Sequence, residues 1–309
     1  MKLNKILYHI HEKEDRIPTG IPSLDKLTGG LPVGSITALA ARPAMGKTVL
    51  AMTLVRNIGI IGKVPTAVLS FEDESNYVAK RLLATQIGWS AVKAQEYDPV
   101  SLSDEQKDKI AMLQQIGFDS QDVDDADFLN MMKEAPVWIE HDALVTMDEL
   151  VSRIERLKRE NNIRLLVIDN FGCIAMDGYA DDKELKMQKL LHTAERLNIV
   201  VLVTARVLRS VETRGGSKKP YLSDIENGAY LENYASLIMF LYRAEYYAIY
   251  EDEYGSTINI ADLIIARNRR GSLGELRLKF EGRARFDDIP PAENSFFGLL
   301  DDSDDFMLT

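Results

Sequence analysis

Residues 35–48 read SITALAARPAMGKT, and this stretch decides the fold. Small and apolar residues typical of a buried strand lead into a turn that contains Pro43 and Gly46. Residues 49–60, VLAMTLVRNIGI, follow with the composition of a buried helix. A strand entering such a turn and a helix leaving it direct backbone N–H groups and the helix N-terminus at phosphate oxygens. The stretch fits the P-loop pattern of nucleotide-binding proteins, with Ala41 in place of the first glycine.

The P-loop pattern assigns chemistry to its last two residues. Lys47 is expected to reach the β and γ phosphates of ATP, and the Thr48 hydroxyl to ligate Mg²⁺. A chance Gly-Lys-Thr at the start of a helix is the alternative, and the flanking strand and helix argue against it. The predicted nucleotide-binding residues of this segment are Arg42, Pro43, Ala44, Met45, Gly46, Lys47 and Thr48.

Acidic residues close two other apolar runs. Asp169 ends LLVID at 165–169, where a carboxylate holds Mg²⁺ through water in P-loop proteins; a turn or cap residue is the alternative. Glu72 ends the run 66–72, which we expect to lie adjacent to the P-loop strand, and it is the candidate that polarises the attacking water. Asp73 and Glu74 are rivals, although both are better suited to capping the next helix.

The rest of the chain predicts one α/β domain. Strands and helices alternate outward from the P-loop, with helices near 147–161 and 183–197, which calls for a parallel sheet with right-handed crossovers. Three strand-like runs near the C-terminus, SLIMFLYR, INIADLIIARN and ELRLKFEG, predict an antiparallel extension. We expect the main domain at 17–289 with a polar insertion at 90–135, preceded by an amphipathic helix at 1–16 and followed by an acidic, disordered tail at 290–309.

Composition narrows the class of protein. The 309 residues are 46% hydrophobic, enough for one large core, and the net charge of −11 argues against a protein coated in positive charge that wraps nucleic acid passively. The negative net charge does not exclude a single channel lined with basic residues that binds nucleic acid. Cys173 is the single cysteine, so no internal disulfide forms, and with no signal peptide or long apolar span we expect a cytoplasmic protein without a membrane segment.

Several motifs in one order resemble the C-terminal motor domain of DnaB-type replicative helicases, within the RecA-like ATPases. They span about 18–287: RIPTGIPSLDKLTGGL, ARPAMGKT, SFEDE, LLVIDN, LRSVETR, LIMFLYR and ADLIIARNRRGSLGELRLKFEG. The resemblance implies a RecA-like core and an ATP-dependent helicase or translocase on single-stranded DNA, acting in replication as a homo-oligomer, expected to be a hexamer. A RadA-like or KaiC-like ATPase, or a helicase paralogue that regulates or assembles without unwinding, is the alternative.

The resemblance also implies roles for three arginines. Arg81 corresponds to an arginine that contacts the nucleotide. Arg267 and Arg269 correspond to a basic pair that reaches the γ-phosphate bound by the next subunit, where a guanidinium stabilises the charge of the transition state. Without the resemblance, solvated arginines at a strand edge would be the preferred interpretation.

This sequence departs from the family pattern at two places. Arg206 stands where the family usually has a glutamine that senses the γ-phosphate. Glu226 to Ala229 stand where the family has a basic, glycine-containing loop that faces DNA, and a carboxylate there repels a phosphate backbone. Basic contacts to DNA are therefore predicted in the preceding loop, with an ordinary solvated loop as the alternative, at Arg209, Arg214, Lys218 and Lys219.

The two ends carry the remaining expectations. Residues 1–12 occupy the position of the family's linker helix. In the family a helical collar domain precedes that helix, and we expect no counterpart of the collar in this sequence. The tail LLDDSDDFMLT at 299–309 resembles acidic docking tails, which predicts either contact with a replication partner or a solvating tail without a partner.

Overall fold

The computed structural model describes residues 14–87, 131–142, 145–175, 183–226, 228–281 and 284–289. The predicted terminal helix at 1–16, the polar insertion at 90–135 and the acidic tail at 290–309 lie outside these ranges, apart from residues 14–16 and 131–135. The strands are β1 (Arg16–Ile17), β2 (Leu31–Pro32), β3 (Ser35–Ala41), β4 (Thr66–Ser70), β5 (Val137–His141), β6 (Val145–Thr146), β7 (Leu165–Asp169), β8 (Ile174–Ala175), β9 (Val200–Arg206), β10 (Leu237–Tyr242), β11 (Glu251–Asp252), β12 (Gly255–Ser256), β13 (Ile260–Asn268), β14 (Gly274–Glu281) and β15 (Arg285–Asp288). The α-helices are α1 (Pro22–Thr28), α2 (Lys47–Val55), α3 (Ser75–Ile87), α4 (Met147–Asn161), α5 (Lys183–Leu197), α6 (Ser210–Thr213) and α7 (Gly228–Tyr234).

Nine of the described strands form one sheet in the order β15-β14-β13-β10-β3-β9-β7-β4-β5. The six strands from β10 to β5 run parallel, whereas β13, β14 and β15 pair antiparallel along one edge. Parallel pairing places the carboxyl ends of all six strands at the same edge of the sheet. The turns that follow β3, β4, β7, β9 and β10 therefore converge there.

Helices cover both faces of the parallel strands. One core layer packs α2 and α3 against side chains such as Leu39 and Val167, and the other packs α4, α5 and α7 against side chains such as Ile36 and Ile168. Every residue of β3 and β7 is buried, as expected for strands covered on both faces. The two-sided core explains why these strands appear in the sequence as continuous apolar runs.

Two helices agree with the sequence prediction at both ends. α4 is capped by Thr146, the residue before its first turn, whose side chain accepts a hydrogen bond from the Glu149 backbone while the Glu149 carboxylate accepts one from the Thr146 backbone. This capping box fixes the start of the helix. α5 spans the predicted 183–197. In the parts of the chain that the structure describes, no helix is both long and apolar enough to cross a membrane.

The structure corrects two expectations about strand order. The run LIMFLY, predicted to belong to the antiparallel extension, forms β10 and pairs parallel with β3. It can do so because α7 provides the helical crossover that parallel neighbours need. The strand that leads to Glu72, predicted to lie adjacent to the P-loop strand, is separated from β3 by β9 and β7.

Candidate functional site: a P-loop cleft at the carboxyl edge of the sheet

The P-loop turn lies between the end of β3 at Ala41 and the start of α2 at Lys47. Gly46 has a φ of 97°, in the region that favours glycine. A Cβ atom on Gly46 would also lie 2.9 Å from Cζ of Phe286, which stacks on Phe280 at 4.5 Å between ring centroids. The antiparallel extension therefore packs directly on the turn and leaves no room for a side chain.

Asp169 joins the start of α2 to the neighbouring strand β9. Thr48 Oγ1 donates to Asp169 Oδ2 at 2.9 Å, and Thr204 Oγ1 donates to Asp169 Oδ1 at 2.5 Å. Both Asp169 and Thr204 are buried. Mg²⁺ favours hard oxygen ligands, one or two of them from the protein and the others from water and phosphate. The hydroxyl of Thr48 and the carboxylate of Asp169 fit that requirement.

Lys47 lies between the carboxylates of the cleft. Burial lowers the pKa of Lys47, and the nearby Asp169 and Glu72 carboxylates oppose this shift without cancelling it. An ammonium group with little water around it interacts more strongly with a bound anion than an exposed one does. The position of Lys47 therefore suits the capture of a phosphate group.

Glu72 follows β4 and reaches the same edge of the sheet despite the two intervening strands. Its Oε1 accepts a hydrogen bond from Asn170 Nδ2 at 3.0 Å and an ion-pair bond from Arg206 Nη2. Burial raises the pKa of Glu72, but the bonds from Asn170 and Arg206 outweigh burial and hold the pKa below its ordinary value. Glu72 is therefore an ionised carboxylate anchored by two neighbouring strands.

The acidic residues after Glu72 have other partners. Asp73 Oδ2 lies 3.2 Å from Nε of Arg81, whose guanidinium also stacks over the Tyr77 ring at 4.7 Å. The Glu74 backbone carbonyl accepts hydrogen bonds from the amides of Tyr77 and Val78 in the first turn of α3. Of these three acidic residues, Glu72 alone is among those that line the cleft beside the P-loop, which favours it over its two rivals.

These elements enclose a cleft of about 680 Å³. The residues that line it are Ala41, Arg42, Pro43, Ala44, Gly46, Lys47, Thr48, Val49, Glu72, Arg81, Arg206, Arg243 and Phe280. Met45 and Asp169, predicted to bind nucleotide and Mg²⁺, do not line the cleft. Met45 is buried, and Asp169 accepts a hydrogen bond from Thr48, which does line it.

Sequence reasoning missed four residues of this site: Asn170, Thr204, Arg243 and Phe280. The guanidinium of Arg243 stacks over Phe280 at 4.3 Å, and its Nη1 donates to the Ala44 carbonyl at 3.4 Å. The signal that identified Asp169, a polar residue where a buried parallel strand ends, also applies to Arg243 directly after β10. Thr204 and Phe280 lie inside strands, and no local sequence pattern distinguishes them from core residues.

Arg206 ends β9 and faces two cavities. Besides the P-loop cleft, it lines a cavity of about 220 Å³ that also includes Lys183, Lys186 and Glu226. The pKa of Arg206 is raised, first by its hydrogen bond to Glu72 and to a smaller extent by Glu226. In the segment predicted as a loop, Gly228 and Ala229 instead begin α7, and residue 227 lies outside the described ranges.

Arg267 and Arg269 lie far from the P-loop of their own chain. Arg267 pairs across the sheet with Ile238, which pairs with Ala38, so Arg267 lies about 10 Å along the strands from the end of β3. The Arg269 amide donates to the Ser236 carbonyl at 2.9 Å, before β10 begins. Both arginines contact α7: Arg267 lies 4.0 Å from Glu232, and Arg269 donates to the Asn233 carbonyl.

The four basic residues of the 209–219 loop differ in exposure. The side chain of Arg209 is 87% exposed, and its Nε lies 3.5 Å from Glu212 Oε2. Arg214 donates to Asp224 at 2.8 Å, and Lys218 donates to the Arg214 carbonyl. Lys219 is bound to Glu275 and lies 3.1 Å from Asp262; burial lowers the pKa of Lys219, but these acids raise it above its ordinary value. Much of the positive charge of the loop is thus paired within the chain.

The central parallel strands and the P-loop at their carboxyl edge define a P-loop NTPase domain with a RecA-like sheet. The chain belongs to the family described as "DnaB-like helicase C terminal domain", whose profile matches residues 16–288.

Curated relatives and a solved structure agree with this family. The chain is 30% identical over 291 residues to the replicative DNA helicase DnaB of Buchnera aphidicola subsp. Acyrthosiphon pisum, covering 92% of this chain and 59% of that protein. It is 31% identical over 280 residues to the DnaB of Pasteurella multocida, covering 88% and 55%. The structure of a DnaB-like replicative helicase, solved with its interactions with primase, matches with a TM-score of 0.74 and 25% identity, covering 94% of this chain and 67% of that one. The chain therefore spans between half and two thirds of the length of these curated relatives.

Proposed function

We propose that the protein is an ATP-hydrolysing motor that works as a ring-forming helicase or translocase on single-stranded DNA, in DNA replication. The observation that carries this proposal is the convergence of Lys47, Thr48, Asp169 and Glu72 at one edge of the sheet. The family of the chain and the names of its relatives supply the expectation that turnover drives DNA unwinding. The cytoplasmic location predicted from the sequence stays a prediction.

The nucleotide site is proposed to work as follows. The backbone N–H groups of the P-loop turn and the ammonium of Lys47 would hold the phosphates, while Thr48 would ligate Mg²⁺ directly and Asp169 would hold it through water. A bound Mg²⁺ neutralises charge on the β- and γ-phosphate oxygens. Glu72 accepts a proton from, and orients, the water that attacks the γ-phosphate, and Asn170 and Thr204 keep the two acidic side chains in position.

Hydrolysis is proposed to depend on assembly. Arg267 and Arg269 lie away from the P-loop edge of their own sheet, which supports a role at the nucleotide of a neighbouring subunit. A guanidinium supplied by a neighbour stabilises the charge that builds up on the γ-phosphate, and a ring gives each site such a neighbour. A homo-hexamer is the proposed assembly.

The deciding experiment measures ATP turnover against protein concentration, with and without single-stranded DNA, together with strand displacement from a forked duplex. The proposal predicts that turnover rises with assembly and with DNA, and that Lys47→Ala abolishes both responses. If DNA changes neither turnover nor assembly, and no strand is displaced, the helicase assignment is wrong even if ATP is hydrolysed.

A RecA-fold ATPase that regulates or assembles without unwinding is the second candidate. The intramolecular pairing of Arg214 and Lys219 favours it, because a basic group already neutralised by a carboxylate neutralises fewer phosphates and so displaces fewer counterions from DNA. Turnover that depends on protein concentration but not on DNA would support it.

The acidic tail is proposed to dock a replication partner. Unchanged recovery of the partner and unchanged stimulation of turnover by DNA after deletion of 299–309 would contradict that role.

A further inference from the structure

The P-loop turn is bonded through its first side chain to the loop that follows β9. Arg42 donates from Nε and Nη2 to Glu212 Oε1 at 2.9 and 2.8 Å, and from Nη1 to the Val207 carbonyl at 2.9 Å. Glu212 belongs to α6, inside the 209–219 loop that carries the predicted DNA contacts. All three guanidinium nitrogens are thus engaged by this loop and the strand end before it.

Backbone hydrogen bonds reinforce the same connection. The Val207 amide donates to the Ala41 carbonyl at 3.0 Å, at the first position of the turn. Val207 also pairs with Ile225, and the Leu208 amide donates to the Asp224 carbonyl at 2.7 Å. Backbone hydrogen bonds therefore connect the first residue of the P-loop to the segments that precede and follow the 209–219 loop.

The ion pair between Arg42 and Glu212 is partly shielded from water. The side chains of Arg42 and Glu212 are 15% and 25% exposed. Tyr247 lies beside them: burial and the Glu212 carboxylate raise its pKa, and Arg42 partly opposes this shift. In such surroundings a forked, charge-assisted contact is strong, and removing one partner leaves the other charge uncompensated. A displacement of either segment must move the other or break the pair.

We propose that Glu212 is a positioning residue that transmits the occupancy of the P-loop to the 209–219 loop through Arg42. This inference rests on the proposed function, because it requires the P-loop to bind nucleotide. When the turn closes on phosphate, Ala41 and Arg42 are held in one position, and the fork to Glu212 then holds α6. Nucleotide binding thereby sets how the loop presents Arg209, the basic side chain that is 87% exposed.

Hydrogen exchange followed by mass spectrometry tests the link on the full chain, with and without Mg-ADP. In the unmodified protein, Mg-ADP is expected to slow exchange in peptides covering 42–48 and, by about tenfold, in those covering 209–219. Glu212→Gln should retain protection at 42–48 while the slowing at 209–219 falls below about twofold. In the Arg42→Ala background, Glu212→Gln should have no further effect on the loop.

Asp224→Asn is the matched control. Asp224 accepts a hydrogen bond from Arg214 of the 209–219 loop and is not among the residues that line the P-loop cleft, so this variant loosens the loop yet should preserve its response to Mg-ADP. If Glu212→Gln does not fold, Glu212→Asp and Arg42→Lys test the same contact, because each keeps its charge while aspartate is too short to reach both donors and lysine offers a single donor nitrogen. An equal loop response in the unmodified protein and the Glu212 variant overturns the inference. Absence of protection at 42–48 in the unmodified protein overturns the proposed nucleotide site itself, and the inference with it.

Discussion

The guanidinium of Arg206 is bonded to the carboxylate of Glu72, so the candidate base and the residue predicted to sense the γ-phosphate form one ion pair. Asn170 donates to the same Glu72 oxygen at 3.0 Å. A glutamine at position 206 could donate a hydrogen bond to Glu72 but could not supply a positive charge. The departure from the family pattern therefore changes the electrostatics of the candidate base as well as the group predicted to sense phosphate.

Replacement of Arg206 by glutamine should alter the pH dependence of ATP turnover. Glu72 must be ionised to accept a proton, and Arg206 lowers the pKa of Glu72 by favouring the ionised form. In Arg206→Gln the pKa of Glu72 rises, so the acidic limb of the kcat/KM profile moves to higher pH. The profile of kcat/KM is measured from the lowest pH at which the protein stays folded up to neutral pH.

Arg209→Gln is the control for this measurement, because Arg209 is an exposed arginine on the next segment that makes no contact with Glu72. Its acidic limb should coincide with that of the unmodified protein. An unshifted limb in Arg206→Gln would mean that the ion pair is absent during turnover or that Glu72 is not the base.

Thr204 should support both the fold and Mg²⁺ binding through Asp169. Thr204→Val keeps the shape of the side chain but leaves Asp169 Oδ1 buried without its donor, which costs about 1–3 kcal/mol of unfolding free energy. Thr204→Ser retains the hydroxyl and should be close to the unmodified protein. Denaturant unfolding measures the first effect. The Mg²⁺ concentration for half-maximal turnover, expected to rise in Thr204→Val alone, measures the second.

The central part of the fold could be predicted from sequence because its causes are local. A buried run, a turn with Gly46 and a helix predicted the P-loop, and the rule that parallel strands end at one edge brought Asp169 and Glu72 together although their strand order was partly wrong. Pairings between distant segments could not be predicted this way. Arg42 meets a glutamate 170 residues away and Lys219 meets one 56 residues away, and no periodicity records such contacts.

A side chain at Gly46 should disrupt the P-loop for two separable reasons. Gly46→Ala places a non-glycine residue at a φ of 97° and pushes its Cβ against Phe286, whereas Gly216→Ala meets a φ of 75° with open space around the Cβ. The strained φ alone costs about 1–3 kcal/mol of unfolding free energy at either position. Thermal unfolding should therefore show the larger loss in Gly46→Ala, and nucleotide titration should show lost binding there alone. Equal losses in the two variants would mean that Phe286 moves aside.

Mixing two inactive variants tests the proposed action of the arginines across a subunit boundary. Lys47→Ala removes the phosphate contact, and Arg267→Ala combined with Arg269→Ala should lower turnover by about 10³-fold or more while nucleotide binding persists. In a randomly mixed ring, about a quarter of the interfaces join an intact P-loop to an intact arginine pair. Turnover in the mixture should recover toward that fraction of the unmodified rate. Each variant assayed alone at the same total protein concentration is the control. If the mixture is no more active than either variant alone, the two arginines do not act at the nucleotide of the neighbouring subunit.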